Sequence, residues 1–251
     1  LIAFASLFPM IAVLGYGISK REAIRFHERR LLRMEQQAMT SMSQHLDADL
    51  DGDGIDDTTY IESLPEDKKQ IITITGQSGA GVTTVAHELA DLLGYRRFSA
   101  GGLFRNLAAQ FDMTVGKLND YARSHRVIDS EIDSLIRRLG KGNELVLDAR
   151  LGFYWIHDSF KVYLLADQEI AAGRIYKAML AGDRKSEQGL TKLEVIENIR
   201  KQSESTQARY FGQYGIDISN TNRFDLVIDT NDMSTDEVVA MIRQQYRAWQ
   251  K

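Results

Sequence analysis

Short runs of β-branched and aliphatic residues alternate, through most of the chain, with longer stretches in which apolar positions recur every three or four residues. The first run is Ile71–Thr75, where Ile71, Ile72 and Ile74 flank Thr73. Comparable runs occupy Tyr95–Ser99, Glu144–Asp148, Lys161–Leu165 and Leu226–Asp229. Each has the length and residue type of a buried strand. Val85, Ala86, Leu89 and Ala90 open a helical pattern after the first run, and helical segments fill the other gaps, ending with Ser234 to Trp249. Strands and helices that alternate in this way predict an α/β domain over residues 70–251, with a parallel sheet covered by helices on both faces. No proline follows Pro65, which suits helix-rich packing.

Upstream the pattern changes. Leu1 to Ile18 carries no charged side chain and approaches the ~18–20 residues that cross a bilayer as a helix. Lys20, Arg21, Arg25, Arg29, Arg30 and Arg33 follow, against Glu22 and Glu28. Such an order predicts an N-terminal transmembrane anchor over residues 1–19, with everything downstream on the cytoplasmic or matrix side. A residual targeting segment or a buried helix are the rival readings. Residues 20–69 are expected to form a juxtamembrane helix, Arg21 to Met42, and then an acidic linker.

Between the first strand and its helix lies Gly76-Gln77-Ser78-Gly79-Ala80-Gly81-Val82-Thr83-Thr84. Strand, glycine-rich turn and helix are the context of a phosphate-binding P-loop. Gly76, Gly79 and Gly81 let the backbone curl until N–H groups face inward at phosphate oxygens, and the helix N-terminus behind adds partial positive charge. Val82, Thr83 and Thr84 complete the phosphate-binding stretch. Thr83 stands where the motif places its Mg²⁺-binding hydroxyl, whereas Val82 replaces the lysine that would bridge the outer phosphates.

Charge and composition narrow the remaining choices. With 31 Lys and Arg against 35 Asp and Glu, the net charge is -4, which argues against an extended nucleic-acid surface. The absence of cysteine excludes disulfides and thiolate metal sites. Asp49, Asp51, Asp53 and Asp57, with Gly54 at the bend, resemble the DxDxDGxxD calcium loops of thrombospondin type 3 repeats and dockerins. Ca²⁺ favours such a cage of carboxylate oxygens. The twelfth position counted from Asp49 is Tyr60 rather than an acid, so a Ca²⁺ site and a solvated acidic linker both stand as readings.

Three further blocks are distinctive: Phe98-Ser-Ala-Gly-Gly-Leu-Phe-Arg105, then LVLDARLGFYW over Leu145–Trp155, then ARYFGQYGIDISNTNRFDLVIDT over Ala208–Thr230. Together with the P-loop, and in this order, they resemble the cytidylate kinase-like family of P-loop nucleoside monophosphate kinases, from about Gln70 to Ile242. The resemblance does not reach residues 1–69. It implies ATP with Mg²⁺ as donor and CMP or dCMP as acceptor. Ser99 and Arg105 match positions that hold the acceptor nucleotide, and Arg150 matches the arginine that grips its phosphate. Asp148 matches an acidic residue that orders Mg²⁺ through water. Arg184 falls in a mobile lid, and Arg209 matches an arginine that closes on the transferring phosphoryl group.

Phosphoryl transfer asks for this kind of ensemble. It is catalysed by positioning and by neutralising dispersed negative charge, and the planar fork of arginine suits phosphate oxygens. Structural alternatives remain at this point: Asp148 as a helix cap, Arg184 as loop solvation, Arg105 and Arg174 as surface partners of Asp or Glu. His87, His125 and His157 lack ligand spacing and read as surface or cap residues. Two functions follow. One is a membrane-anchored kinase in which Arg184 and Arg209 replace the missing lysine. The other is an inactive nucleotide-binding or structural accessory subunit of a membrane complex.

Overall fold

In the computed structural model, residues 70–111, 113–182 and 190–251 are described. The anchor at residues 1–19, the juxtamembrane helix and linker at 20–69 with Asp49, Asp51, Asp53 and Asp57, and Arg184 lie outside them. Among the described residues no helix is long and apolar enough to cross a membrane.

Strand β1 (Ile71–Gly76) leads through the glycine-rich turn into helix α1 (Val82–Leu93). Then come β2 (Arg96–Ser99), α2 (Ala100–Gln110), α3 (Val115–Ser124), α4 (Val127–Leu139) and β3 (Leu145–Asp148). A short α5 (Gly152–Trp155), β4 (Phe160–Leu165), α6 (Gln168–Leu180), α7 (Lys192–Tyr214), β5 (Leu226–Asp229) and α8 (Thr235–Trp249) complete the domain. The strands pair in the order β2-β3-β1-β4-β5, every pairing parallel.

The first strand made is therefore the central one, and its residues from Ile71 to Thr75 are all buried. Strand periodicity sends alternate side chains to opposite faces. Ile72 and Ile74 join Val162, Leu164, Ile228 and the apolar faces of α1 and α8. Ile71 joins Leu145, Leu147, Phe98 and the helices α2 to α4 on the other side. Burial on both faces is what a parallel sheet requires and why its strands read as continuous apolar runs.

Three strand starts differ from the sequence reading by one residue, β4 beginning at Phe160 rather than Lys161. Tyr95 N–H is used in closing the end of α1 on Ala90 O (3.0 Å), beside Gly94 in the left-handed region, so β2 begins at Arg96. Glu144 has φ 52, incompatible with a strand, so β3 begins at Leu145. The long helix α7 is started by a reciprocal cap between Thr191 and Glu194, and α8 by the same device between Ser234 and Glu237.

Candidate active site

The turn after β1 is shaped by positions that only glycine fills. Gly79 has φ +83, and a Cβ there would lie 2.7 Å from Ala171 Cβ on α6. Gly81, at φ +88, forms the N-cap of α1 and faces open space, with nothing within 4 Å of where its Cβ would be. No side chain caps α1 and no acid stands in its first turn. The first-turn N–H groups are thus left to water or to an anion. Gln77 ties the loop to β4, with its N–H on Leu164 O at 3.1 Å and its Oε1 accepting from Ala166 N at 2.8 Å. Val82 turns inward. Its Cγ2 lies 3.0 Å from the point a Cβ on Gly76 would occupy, and it packs against the core between α1 and β4. The lysine position of the motif is thus filled by an apolar contact.

Register brings the polar groups to one end of the sheet. Asp148 pairs with Ile74 of β1 on one side and with Ser99 of β2 on the other. Its Oδ2 accepts from Thr83 Oγ1 at 2.8 Å and from Ser99 Oγ at 2.9 Å. Ser99 Oγ in turn accepts from Gly102 N–H at 3.1 Å. Asp148 is therefore not a helix cap: Leu151 is the N-cap residue of α5, with no side-chain bond. The Thr83 hydroxyl and the Asp148 carboxylate are hard oxygen donors in contact. Such a set fits Mg²⁺, which takes few protein ligands and completes its shell with water and phosphate.

Arg150 leaves the same strand end and crosses to the P-loop, where its Nη2 donates to Ser78 Oγ at 3.2 Å. Arg105, exposed on α2, approaches Gly101: its Nη1 is 3.4 Å, and Ser99 Oγ 3.8 Å, from the point of a Gly101 Cβ. Among the described residues, Arg174 is held by hydroxyl and carbonyl groups rather than by an acid. It donates to Thr230 Oγ1 at 2.9 Å and Thr230 O at 2.5 Å. Thr230 Oγ1 lies 2.9 Å from Leu165 O and 3.3 Å from Ala80 O of the P-loop, so Arg174 clamps β5 to the nucleotide loop. The histidines match their surface and cap readings. His87 is exposed beside Asp91, His125 caps α3, and His157 lies against Tyr154.

Arg209 stands elsewhere. Its Nε is 3.4 Å from Asp129 Oδ2 on α4, with side chains only 7% and 4% exposed. The guanidinium lies over Tyr210 at 5.0 Å and 6.0 Å from Phe104. Burial pushes the Asp129 carboxyl up to about 6; Arg209 opposes the rise and Asp133, one turn along α4, adds to it. Burial also raises Asp133, to which the Tyr214 hydroxyl donates a hydrogen bond. Tyr210, its phenol raised by burial, feels Arg209, Arg150 and both aspartates, which sets this acidic cluster beside the phosphate-facing groups. Neither aspartate was singled out by the sequence reading. Their signal is a pair of acids four residues apart in VIDSEIDSLI, between the core positions Ile128, Ile132 and Ile136.

The profile of the Cytidylate kinase-like family matches residues 71–232. A cytidylate kinase of Pyrobaculum neutrophilum is 33% identical over 172 residues, covering 67% of this chain and 88% of the relative. One of Archaeoglobus fulgidus is 34% identical over 173 residues, covering 68% and 91%. Among solved structures, an uncharacterized protein from Eubacterium ventriosum covers 71% of this chain and 99% of its own length, at 16% identity and a TM-score of 0.52, a likeness of fold alone. The chain, through its residues 71–232, belongs to the cytidylate kinase-like family.

Proposed function

We propose that the domain transfers the γ-phosphoryl group of ATP to CMP or dCMP. One observation carries the reading: a single oxygen, Asp148 Oδ2, receives hydrogen bonds from Thr83 at the end of the P-loop and from Ser99 at the head of the acceptor segment. Donor-side and acceptor-side groups thus meet at one carboxylate. An oxygen of the acceptor monophosphate attacks the γ-phosphorus, the bond to the β–γ bridging oxygen breaks, and ADP leaves with that electron pair. The α1 N-terminus and P-loop amides hold the donor, Ser99 and Arg105 hold the acceptor, and Arg150 holds phosphate charge between them. Thr83 and Asp148 would hold Mg²⁺, which when bound neutralises the β- and γ-oxygens. Arg209 requires release from Asp129 before it closes on the transferring group.

Val82 favours a second reading, an accessory subunit that binds nucleotide without turning it over. In both readings Leu1 to Ile18 anchors the chain with the domain on the cytoplasmic or matrix side. The test is steady-state transfer from Mg²⁺-ATP to CMP, dCMP, UMP and AMP by the full-length chain and by a chain lacking residues 1–18. The expected result is rapid formation of CDP or dCDP by both, with only the longer chain in the membrane fraction. Stabilisation by Mg²⁺-ATP, about 2.7 kcal/mol at a hundredfold excess over Kd, without transfer to any monophosphate would replace the kinase by the accessory subunit.

A further inference from the structure

The phosphate loop lacks its cation, yet a guanidinium reaches it from another strand. We propose that Arg150 takes over the task of the missing P-loop lysine, held in place by Ser78, and so reads the outer phosphate of the donor as well as the phosphate of the acceptor. The inference rests on the nucleotide-kinase reading above and deepens it.

Three observations lead there. Val82 is apolar and half-buried against the core, its Cγ2 near Gly76, so position 82 brings no charge to a terminal phosphate. Among the described residues, Arg174 is held by the Thr230 and Asn231 carbonyls, and Arg209 lies in the buried Asp129 cluster, 3.4 Å from that carboxylate. Arg150 instead donates to Ser78 Oγ at 3.2 Å, inside the segment that curls around the anion.

Chemistry supports the exchange. A lysine in this loop supplies a point charge at the end of a flexible stem, whereas a guanidinium offers five N–H donors in a rigid plane. One of those donors goes to Ser78, which sets the plane of the fork before any nucleotide arrives, and the others remain for phosphate oxygens. Arg150 leaves β3 two residues after Asp148, the carboxylate that Thr83 and Ser99 share. Its charge therefore lies between the donor cradle and the acceptor segment. Ser78 is a positioning residue in this account, acting through the guanidinium.

The inference separates from a role in acceptor binding alone by the affinity for donor measured without acceptor. Titration calorimetry on the full-length chain with Mg²⁺-ATP and Mg²⁺-ADP, and KM values for ATP and CMP, would be compared across variants. Arg150→Ala should weaken Mg²⁺-ATP by about tenfold or more and Mg²⁺-ADP much less. Ser78→Ala should weaken Mg²⁺-ATP several-fold with the KM for CMP nearly unchanged, and Ser78→Thr should restore it. Adding Val82→Lys to Arg150→Ala should recover Mg²⁺-ATP affinity and leave the KM for CMP high. Arg150→Ala that binds Mg²⁺-ATP like the wild type while losing only CMP overturns the inference and leaves the kinase reading standing. A wild type that prefers Mg²⁺-ATP through Arg150 but phosphorylates no monophosphate overturns the kinase reading instead. A wild type that binds neither nucleotide removes both.

Discussion

Asp129→Asn is expected to make the protein more stable at neutral pH and to leave it unchanged near pH 4. The folded carboxyl keeps its proton until about 6 against an ordinary 3.8, because burial disfavours its charge more than Arg209 favours it. Between those values the folded state binds more protons than the unfolded chain, so this group's contribution falls as pH rises through the window. At 1.36 kcal/mol per tenfold change in proton affinity, ionised Asp129 costs about 3 kcal/mol above pH 6. Asparagine is neutral throughout and keeps an acceptor oxygen toward Arg209. The variant should therefore gain up to about 3 kcal/mol at pH 7.5, or roughly 6–12 °C in Tm for a domain of this size. Urea unfolding followed by tryptophan fluorescence suits the measurement, since Trp155 lies 5.6 Å from the Tyr214 ring in this cluster. Equal stability changes at pH 4 and pH 7.5, or a loss of stability at pH 7.5, would refute the reasoning. A gain in stability with a loss of turnover would mark the buried pair as strain kept for function.

Asp148→Asn should leave the Tm nearly unchanged, because asparagine can still accept from Thr83 and Ser99, yet lower kcat at least tenfold and raise the Mg²⁺ concentration needed for half-maximal rate; an unaltered Mg²⁺ dependence would remove Asp148 from the metal site. Arg174→Met should lower stability by about 2–3 kcal/mol through the lost charge-assisted bonds to Thr230 and raise the KM for ATP, both measurable by thermal melts and initial rates; an unchanged ATP KM would limit Arg174 to holding β5.

β1 was legible because a buried parallel strand has no polar face to conceal its run, and β5, an edge strand with Val227 and Asp229 exposed, was read to the residue from its apolar run. The phosphate loop was legible because left-handed backbone at Gly79 and Gly81 leaves few other residues there. The convergence of Thr83, Ser99 and Asp148 could be anticipated from strand ends that share a level in a parallel sheet. The location of Arg209 could not. It depends on α7 packing across α4, and the spacing of Asp129 and Asp133 looks like an ordinary solvated helix face until the partner helix is present. Arg174 escaped for the same reason: its partners are the hydroxyl and carbonyl of Thr230 and the Asn231 carbonyl, and backbone acceptors leave no mark on side-chain pattern.

The bond between Thr230 Oγ1 and Ala80 O spans 150 positions of sequence, and this bears on how the protein is made. β1 emerges first but must wait for β3 and β4, its two neighbours in the sheet. The nucleotide loop receives its last support only when Thr230 has left the ribosome. Contacts of such long separation form late and fold slowly. A chain stalled before β5 would expose β4 as a bare edge and leave the loop without its Thr230 contact.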